Sequence, residues 1–143
     1  MLGTRMNAQI HHQGLTIQSL RELSEALFNG LGKHVLADFY ECQNVPSTAT
    51  ELEQLMLDAA ATIQATVVNS TFHEFSPHGL SGVVVIAESH LTAHTWPEHE
   101  TICIDLFTCS PEMDTLPGLI HLFDRLQAGS MDLKVSDRGS RIS

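Results

Sequence analysis

The side chains that could do chemistry are concentrated in one segment of the chain, between Phe72 and Cys109. This segment contains five of the nine histidines, together with serines, carboxylates and two of the three cysteines. Histidines, carboxylates and thiols can bind a metal ion, and a histidine can serve as the base for a serine or cysteine nucleophile. The candidates in this segment are Ser81, Glu88, Ser89, His90, His94, Glu98, His99, Asp105 and Cys109.

A metal site is the first possibility. His90, His94 and His99 could supply imidazole ligands, and Asp105 or a cysteine could complete the set. On an extended strand, however, His90 and His94 would share a face but lie about 13 Å apart, at ~3.3 Å per residue. That distance is too large for one ion. We therefore predict no metal site and interpret these histidines as surface or hydrogen-bonded residues.

A nucleophile with a histidine base is the second possibility, for example Cys109 or Ser89 with His94. The sequence has no G-x-S-x-G motif, and Ser89 follows a strand without a helix behind it. The plainer interpretation of Cys109 is a half-buried thiol at a strand end, and that of Ser81 is an ordinary hydroxyl. Spacing alone favours the plainer interpretations.

The third possibility is chemistry on the backbone itself, at Glu88 and Ser89. A serine hydroxyl can attack the carbonyl that precedes it and convert the peptide bond to an ester. β-Elimination then cuts the chain and leaves dehydroalanine, which hydrolyses to a pyruvoyl group. These residue types permit the reaction, but composition and periodicity do not select it.

Composition limits the partners of the chain. The 143 residues are 43% apolar and 17% charged, which is typical of a single soluble domain. The net charge of −10 argues against nucleic acid, which attracts clustered Lys and Arg. The longest apolar run, Val83 to Ala87, is far shorter than the roughly 20 residues of a membrane span, so we expect no membrane insertion. Three cysteines cannot all pair within one chain, which fits a reducing cytoplasm.

Hydrophobic periodicity predicts the elements that position these side chains. Residues 1–30 are expected to form an N-terminal extension, with a disordered start from Met1 to Gly14 and a short helix from Thr16 to Phe28. Residues 31–143 are expected to form the main domain. Its predicted elements are strand His34–Tyr40, a helix that is capped by Ser47 or Thr48 and runs to Gln64, strands Thr66–Phe75, Leu80–Ser89, Leu91–Trp96 and Thr101–Thr108, helix Leu116–Gln127, strand Met131–Val135 and a mobile tail Ser136–Ser143.

The order β-α-β-β-β-β-α-β predicts an α+β fold, a two-layer α/β sandwich with a mostly antiparallel sheet. Two helices can cover one face of this sheet, which leaves the other face open. The run Val83 to Ala87 is too apolar to face water on either side. We therefore expect two copies to pair their sheets in a homodimer.

Three blocks of the sequence resemble the prokaryotic S-adenosylmethionine decarboxylase proenzymes, a pyruvoyl-dependent family. The most specific block runs from Thr71 to Glu98 and contains Glu-Ser-His-Leu-Thr-Ala-His-Thr-Trp-Pro-Glu. The other two are Gly32 to Cys42 and Ile104 to Cys109. The similarity covers residues 31–138, with matching order and spacing between the blocks.

This resemblance implies self-cleavage between Glu88 and Ser89 and conversion of Ser89 to a covalent pyruvoyl group, which forms a Schiff base with the substrate. By the same resemblance, His94 accepts a proton during processing and Ser81 supports the processing geometry. Cys109 matches the family's proton donor in decarboxylation.

The implied reaction converts S-adenosylmethionine to S-adenosylmethioninamine and CO2 for spermidine biosynthesis. Phe75 matches an aromatic residue that stacks on the adenine, and Glu98 matches an acidic residue of the substrate site. A carboxylate and an aromatic face both suit a cationic sulfonium ligand with a purine. The family fold is the same two-layer unit, paired into a dimer with active sites near the interface.

Some positions depart from the family pattern, namely Ala93, the run from His99 to Ile102, and Ser110. They leave the self-processing residues intact but keep the substrate open. One alternative is a pyruvoyl-dependent arginine or ornithine decarboxylase, because Glu100 could suit a guanidinium or ammonium group, although we favour a solvated turn charge there. Another alternative is a non-processing regulatory homologue.

Overall fold

The structure is a computed structural model that describes residues 5–11, 21 and 30–142. The predicted helix from Thr16 to Phe28 lies outside the described residues, apart from Arg21. The described strands and helices, in chain order, are β1 (Arg5–His11), β2 (Gly32–Tyr40), α1 (Ala49–Thr62), β3 (Val67–Glu74), β4 (Leu80–Ile86), β5 (Ser89–Trp96), a 3-10 helix (Pro97–His99), β6 (Thr101–Thr108), α2 (Leu116–Arg125) and β7 (Ser130–Arg138).

The described strands form one seven-stranded sheet in the order β1-β7-β2-β6-β5-β4-β3. Every neighbouring pair is antiparallel. The expected α+β sandwich with two helices on one face is confirmed. Neither described helix is long and apolar enough to cross a bilayer.

The core lies between the sheet and the two helices. Alternate residues of each central strand point into it, because side chains on a strand alternate between its two faces. The residues Val35, Leu91, Ile104, Leu133, Leu52, Met56, Leu119 and Leu122 belong to this single buried cluster. The other face of the sheet presents the remaining residues of the same strands, including Leu36, Val85 and Trp96, which are 37%, 40% and 42% exposed.

Helix α1 begins as its sequence predicts. The Thr48 side chain accepts a hydrogen bond from the backbone N–H of Glu51 at 3.1 Å. The Glu51 carboxylate accepts one in return from the backbone N–H of Ser47 at 2.9 Å. This reciprocal arrangement satisfies backbone donors that a helix start leaves without partners.

The boundary between β4 and β5 differs from the prediction. The sequence predicts one strand from Leu80 through Ser89, but β4 ends at Ile86, and Ala87 and Glu88 form a two-residue turn. Neither turn residue is the Gly, Asn or Pro that usually signals such a turn. Ser89 is therefore the first residue of β5 and not the last residue of β4.

The two ends of the chain also differ from the prediction. The disordered start is wrong for Arg5–His11, which pair with β7 as an edge strand. The mobile tail is wrong for residues 136–138, because Ser136, Asp137 and Arg138 continue β7 and pair with the start of β2. In both cases a neighbouring strand supplies backbone hydrogen-bond partners that local sequence does not reveal.

The close approach of the Phe72 ring to Gly82 predicts a loss of stability when Gly82 gains a side chain. Gly82 lies opposite Phe72 in the β3–β4 pair, and a Cβ at Gly82 would overlap the Phe72 ring. We expect Gly82→Ala to lower the free energy of unfolding by about 1–3 kcal/mol, because the ring must move. Urea denaturation measures this change. In a Phe72→Ala background the same substitution should cost markedly less, and equal costs would contradict the overlap.

Candidate active site

The turn between β4 and β5 is held from two sides. Its Ala87 N–H donates to the Thr66 carbonyl at 2.8 Å, and its Glu88 carboxylate accepts from the Thr66 N–H at 3.1 Å. From the other side, the backbone N–H of Cys109 donates to the Glu88 carbonyl oxygen at 2.9 Å. The carbonyl that precedes Ser89 is thus fixed and polarised by a donor from the end of β6.

Ser89 itself has a strained backbone. Its φ is 150°, in a region that residues with a side chain rarely adopt. Such conformations cost on the order of 1–3 kcal/mol and persist only where the surroundings impose them. The peptide bond between Glu88 and Ser89 therefore combines a strained residue with a polarised carbonyl. We name Glu88, Ser89 and Cys109 the turn group.

A second group of candidate residues lies at the other end of β5. Ser81 Oγ and His94 Nδ1 are 2.8 Å apart across the β4–β5 pair. The Glu98 carboxylate lies 3.0 Å from Nε2 of His78. An open pocket joins these side chains, and its lining comprises Phe75, His78, Gly79, Leu80, Ser81, His94, Thr95, Trp96 and Glu98. We name this set the pocket group.

The pocket group presents aromatic surface to the solvent. Phe75 is 51% exposed, and its ring meets the His73 ring edge-on with centroids 4.6 Å apart. Trp96 is 42% exposed and lies beside His94. Exposed aromatic faces next to a carboxylate can bind a planar, positively charged ligand.

Within one chain the two groups are far apart. Ser89 and His94 are five residues apart on β5, about 16 Å at ~3.3 Å per residue. Cys109 follows Thr108, which pairs with Ser89, whereas Ser81 pairs with His94. The structure therefore unites Glu88, Ser89 and Cys109, and separately Ser81, His94, Phe75 and Glu98, but it does not unite the two groups.

Sequence reasoning missed a third cluster on the open face. His34, His90 and Asp105 come from β2, β5 and β6, and their ligand atoms all lie within 4.8 Å of one another. No spacing rule predicts this cluster, because it depends on the order of strands in the sheet. The sequence did suggest His90 and Asp105 as possible ligands of one site, but it did not indicate His34.

This cluster is poorly suited to a metal ion. Arg138 donates to Nδ1 of His34 at 3.0 Å, so the His34 proton is on Nε2, which lies 2.5 Å from Asp105 Oδ2. A metal would have to displace that proton beside a fixed guanidinium charge. The arrangement instead favours a hydrogen-bond network.

The three cysteines differ in environment. Burial and the Glu100 charge raise the pKa of Cys42 to about 11. Burial, with a hydrogen bond to Asp38 and the charge of that carboxylate, raises the pKa of Cys103 to about 12. Cys109 is exposed. Of the three thiols, Cys109 is the most exposed.

Comparison with known proteins identifies the family to which these features belong. The sequence model described as "S-adenosylmethionine decarboxylase" matches residues 33–139. The chain belongs to the S-adenosylmethionine decarboxylase family. This stretch contains the turn group, the pocket group and the cluster of His34, His90 and Asp105.

Similarity to individual proteins indicates the same family. An S-adenosylmethionine decarboxylase proenzyme of Thermotoga petrophila is 48% identical over 110 residues, which cover 76% of this chain and 85% of the relative. One of Acidithiobacillus ferrooxidans is 40% identical over 112 residues, with coverage of 76% and 83%. The crystal structure of the adenosylmethionine decarboxylase from Aquifex aeolicus superposes with a TM-score of 0.70 at 32% identity, over 78% of this chain and 92% of that one.

The cysteine environments predict selective alkylation. At about pH 7.5, iodoacetamide should modify Cys109 first, because burial and high pKa values keep Cys42 and Cys103 as protected thiols. Mass spectrometry of timed digests measures the order. Cys109→Ser should remove the fast phase and leave the slow ones. Fast labelling of Cys103 would contradict the assignment.

Proposed function

We propose that this protein is a self-processing, pyruvoyl-dependent decarboxylase that converts S-adenosylmethionine to S-adenosylmethioninamine and CO2 for spermidine biosynthesis. The observation that carries the proposal is the Glu88–Ser89 peptide bond, with its carbonyl hydrogen-bonded by Cys109 N–H and its serine strained. In a family whose relatives are named proenzymes, this is the bond that we expect to be cut. The three free thiols fit a reducing, cytoplasmic location.

Processing begins with an N→O acyl shift at the turn. Ser89 Oγ attacks the Glu88 carbonyl carbon, and the developing oxyanion accepts the hydrogen bond from Cys109 N–H. The Ser89 nitrogen leaves as an amine, which leaves Glu88 joined to the serine as an ester. Release of the φ strain at Ser89 favours this step.

The second step is β-elimination. A base removes the Ser89 α-proton and the main-chain carboxylate of Glu88 leaves, which cuts the chain into residues 1–88 and 89–143. The remaining dehydroalanine takes up water and releases ammonia. We assign the base to His94, whose Nδ1 hydrogen-bonds with Ser81 Oγ. That contact fixes the orientation of the ring.

The two groups have different roles in the proposed decarboxylation. A pyruvoyl ketone at position 89 supplies the electron sink that loss of CO2 requires. Phe75 offers a face for the adenine and Glu98 a charge for the sulfonium, in the pocket group. The exposed Cys109 thiol, one residue beyond Thr108, which pairs with Ser89, returns a proton to the substrate α-carbon.

These roles require a second copy of the chain. His94 cannot reach Ser89 of its own strand, which begins about 16 Å away. The open sheet face carries Ser81, His94 and the exposed apolar residues Leu36 and Val85, and the turn group lies at the far end of β5. Two copies that pair these faces about a two-fold axis bring the turn group of one to the pocket group of the other. We therefore propose a homodimer with two shared active sites.

The alternative substrates are less well supported. Glu100 is an exposed residue of the turn after the 3-10 helix and is not part of the lining of the pocket. It therefore fits a solvated charge better than a guanidinium partner. The non-processing alternative is opposed by the fixed Glu88 carbonyl and the paired Ser81 and His94.

Ser89→Ala tests the processing. The wild-type protein should yield two chains, residues 1–88 and 89–143, and the second should lack the mass of one NH3 relative to a serine-initiated peptide. Ser89→Ala should stay intact and inactive, because a methyl group cannot attack the Glu88 carbonyl. Intact mass spectrometry measures both. A wild-type protein that remains one species after long incubation would support the regulatory alternative.

Cys109→Ala and alternative substrates test the reaction. Labelled CO2 should be released from carboxyl-labelled S-adenosylmethionine by the processed protein, and Cys109→Ala should reduce correct turnover by about 100-fold or more. Cys42→Ala is the matched control, since that thiol is buried away from the turn. Release of CO2 from arginine or ornithine, with none from S-adenosylmethionine, would establish the alternative substrate class.

Mixing two inactive variants tests the shared site. His94→Ala alone should stop at the ester, and Ser89→Ala alone should stay intact. In mixed dimers the His94→Ala chain meets the intact His94 of its Ser89→Ala partner, so it should be cut to residues 1–88 and 89–143. Distinct affinity tags isolate the mixed dimers, and gels report cutting. An uncut His94→Ala chain in isolated mixed dimers would contradict the shared site.

A further inference from the structure

The acyl shift needs a base for the Ser89 hydroxyl, and His94 lies too far along β5 to serve its own strand. The histidine next to Ser89 is closer. His90 Nδ1 lies 3.3 Å from Ser89 Oγ, within hydrogen-bond distance. On the other side of the same ring, His90 Nε2 lies 3.5 Å from Asp105 Oδ2.

From this geometry we propose that His90 is the base that activates Ser89 for self-processing, with Asp105 and His34 as positioning residues. The inference rests on the proposed self-cleavage at Ser89. The order hydroxyl, imidazole, carboxylate is the one that serine nucleophiles use in general, although here the serine attacks its own chain.

The His90 ring is held in place on several sides. It stacks on Phe107 with centroids 5.8 Å apart and an interplanar angle of 14°, and it meets the His34 ring edge-on. Its side chain is 34% exposed, whereas those of Asp105 and His34 are 19% and 15% exposed. A stacked, half-buried imidazole keeps its two nitrogens aimed at fixed partners.

The network also favours one tautomer of His90. Asp105 Oδ1 accepts from the Thr92 hydroxyl, and its Oδ2 accepts from His34 Nε2–H. A carboxylate held in this way can take a second N–H donor at Oδ2, which orients His90 with its proton on Nε2. The lone pair of Nδ1 then points at the Ser89 hydroxyl.

The step balances in protons and bonds. His90 Nδ1 takes the proton from Ser89 Oγ as the Oγ–C bond to Glu88 forms, and the Asp105 carboxylate stabilises the imidazolium. The Glu88 oxyanion is stabilised by Cys109 N–H. As the C–N bond breaks, His90 returns the proton to the Ser89 nitrogen. The products are a neutral amine, an ester and the original imidazole.

The roles of His90 and His94 are therefore different. His90 acts before the ester forms, within one chain, and His94 acts after it forms, across the proposed dimer. Hydroxylamine separates the two steps, because it cleaves an ester but not a peptide bond. A His94→Ala background collects the ester and reports the acyl shift alone.

The test measures the effect of His90→Asn and of control substitutions in the His94→Ala background. Asn keeps an oxygen near the Nδ1 position that can accept from Ser89 but cannot take its proton. We expect His90→Asn to slow hydroxylamine cutting by about 100-fold or more, and Asp105→Asn to slow it in the same direction. His99→Asn, at an exposed residue of the 3-10 helix, should leave the rate unchanged. Thermal melting confirms that each variant folds.

A pH profile separates a base from a structural contact. With His90 intact, the acyl-shift rate should rise with pH over the range in which imidazoles lose their proton, about pH 5 to 8. The charged or titratable groups around His90 are Asp105 from β6, His34 from β2 and, through His34, Arg138 from β7; its β4 partner is Val85. In His90→Asn the rise should disappear.

The outcomes are distinct. If the wild-type protein is not cut at Glu88–Ser89, the proposed function fails. If it is cut, and His90→Asn forms the ester at the rate of the His94→Ala parent, only the inference about His90 fails. A slow, folded His90→Asn variant that keeps the rise with pH would also overturn it, because that result assigns His90 a structural role.

Discussion

The hydrogen bond from Cys109 N–H to the Glu88 carbonyl is the contact on which the site depends, and the sheet register maintains it. Ser89 pairs with Thr108, so Cys109 is the first residue beyond the β5–β6 ladder and faces the turn. A slip of one residue would reverse the faces of β5 and move buried Leu91 and Ala93 out of the core. Core burial therefore maintains the alignment of a backbone donor with one carbonyl, although neither group belongs to the core.

The side chains of β5 alternate between two faces of the sheet, and the two faces have different roles. Leu91, Ala93 and Thr95 are buried on the helix side, while His90 and His94 lie on the open side. The two histidines are four positions apart along β5, so each has its own set of partners at its own end of the strand. One period-2 pattern thus supplies the core, the pocket group and the surroundings of Ser89.

The fold could be predicted from the sequence wherever the signal is local. The bounds of β6 and the Thr48 cap of α1 follow from alternation and from capping chemistry. The turn at Ala87 and Glu88 could not be predicted, because its stabilising partners, Thr66 and Cys109, are distant in sequence. The same limit explains the polar end of β7, which is ordered by its pairing with β2.

The site could be predicted only in part. Resemblance to a family indicated the candidate site residues. It did not indicate that they form two groups, which follows from the positions of Ser89 and His94 at opposite ends of β5. The contact of His34 with Asp105 depends on β2 lying next to β6, and the contact of Asp105 with His90 depends on β6 lying next to β5. The order of strands in space is not the order in sequence, so no spacing in the chain indicates this network.

The strand order has a consequence for the proposed cut between Glu88 and Ser89. Residues 1–88 hold β1 to β4 and residues 89–143 hold β5 to β7, so four of the six strand pairs join the two pieces across the sheet. Such a cut leaves all six strand pairs in place, since only the pairing of Ser89 with Ile86 adjoins it. It changes the molecularity of refolding, because two separate polypeptides must then find each other instead of one chain closing on itself. Dilution therefore hinders refolding of the two separate pieces but not of the uncut chain. The lifetime of the cut protein then depends on how slowly its interleaved strands separate.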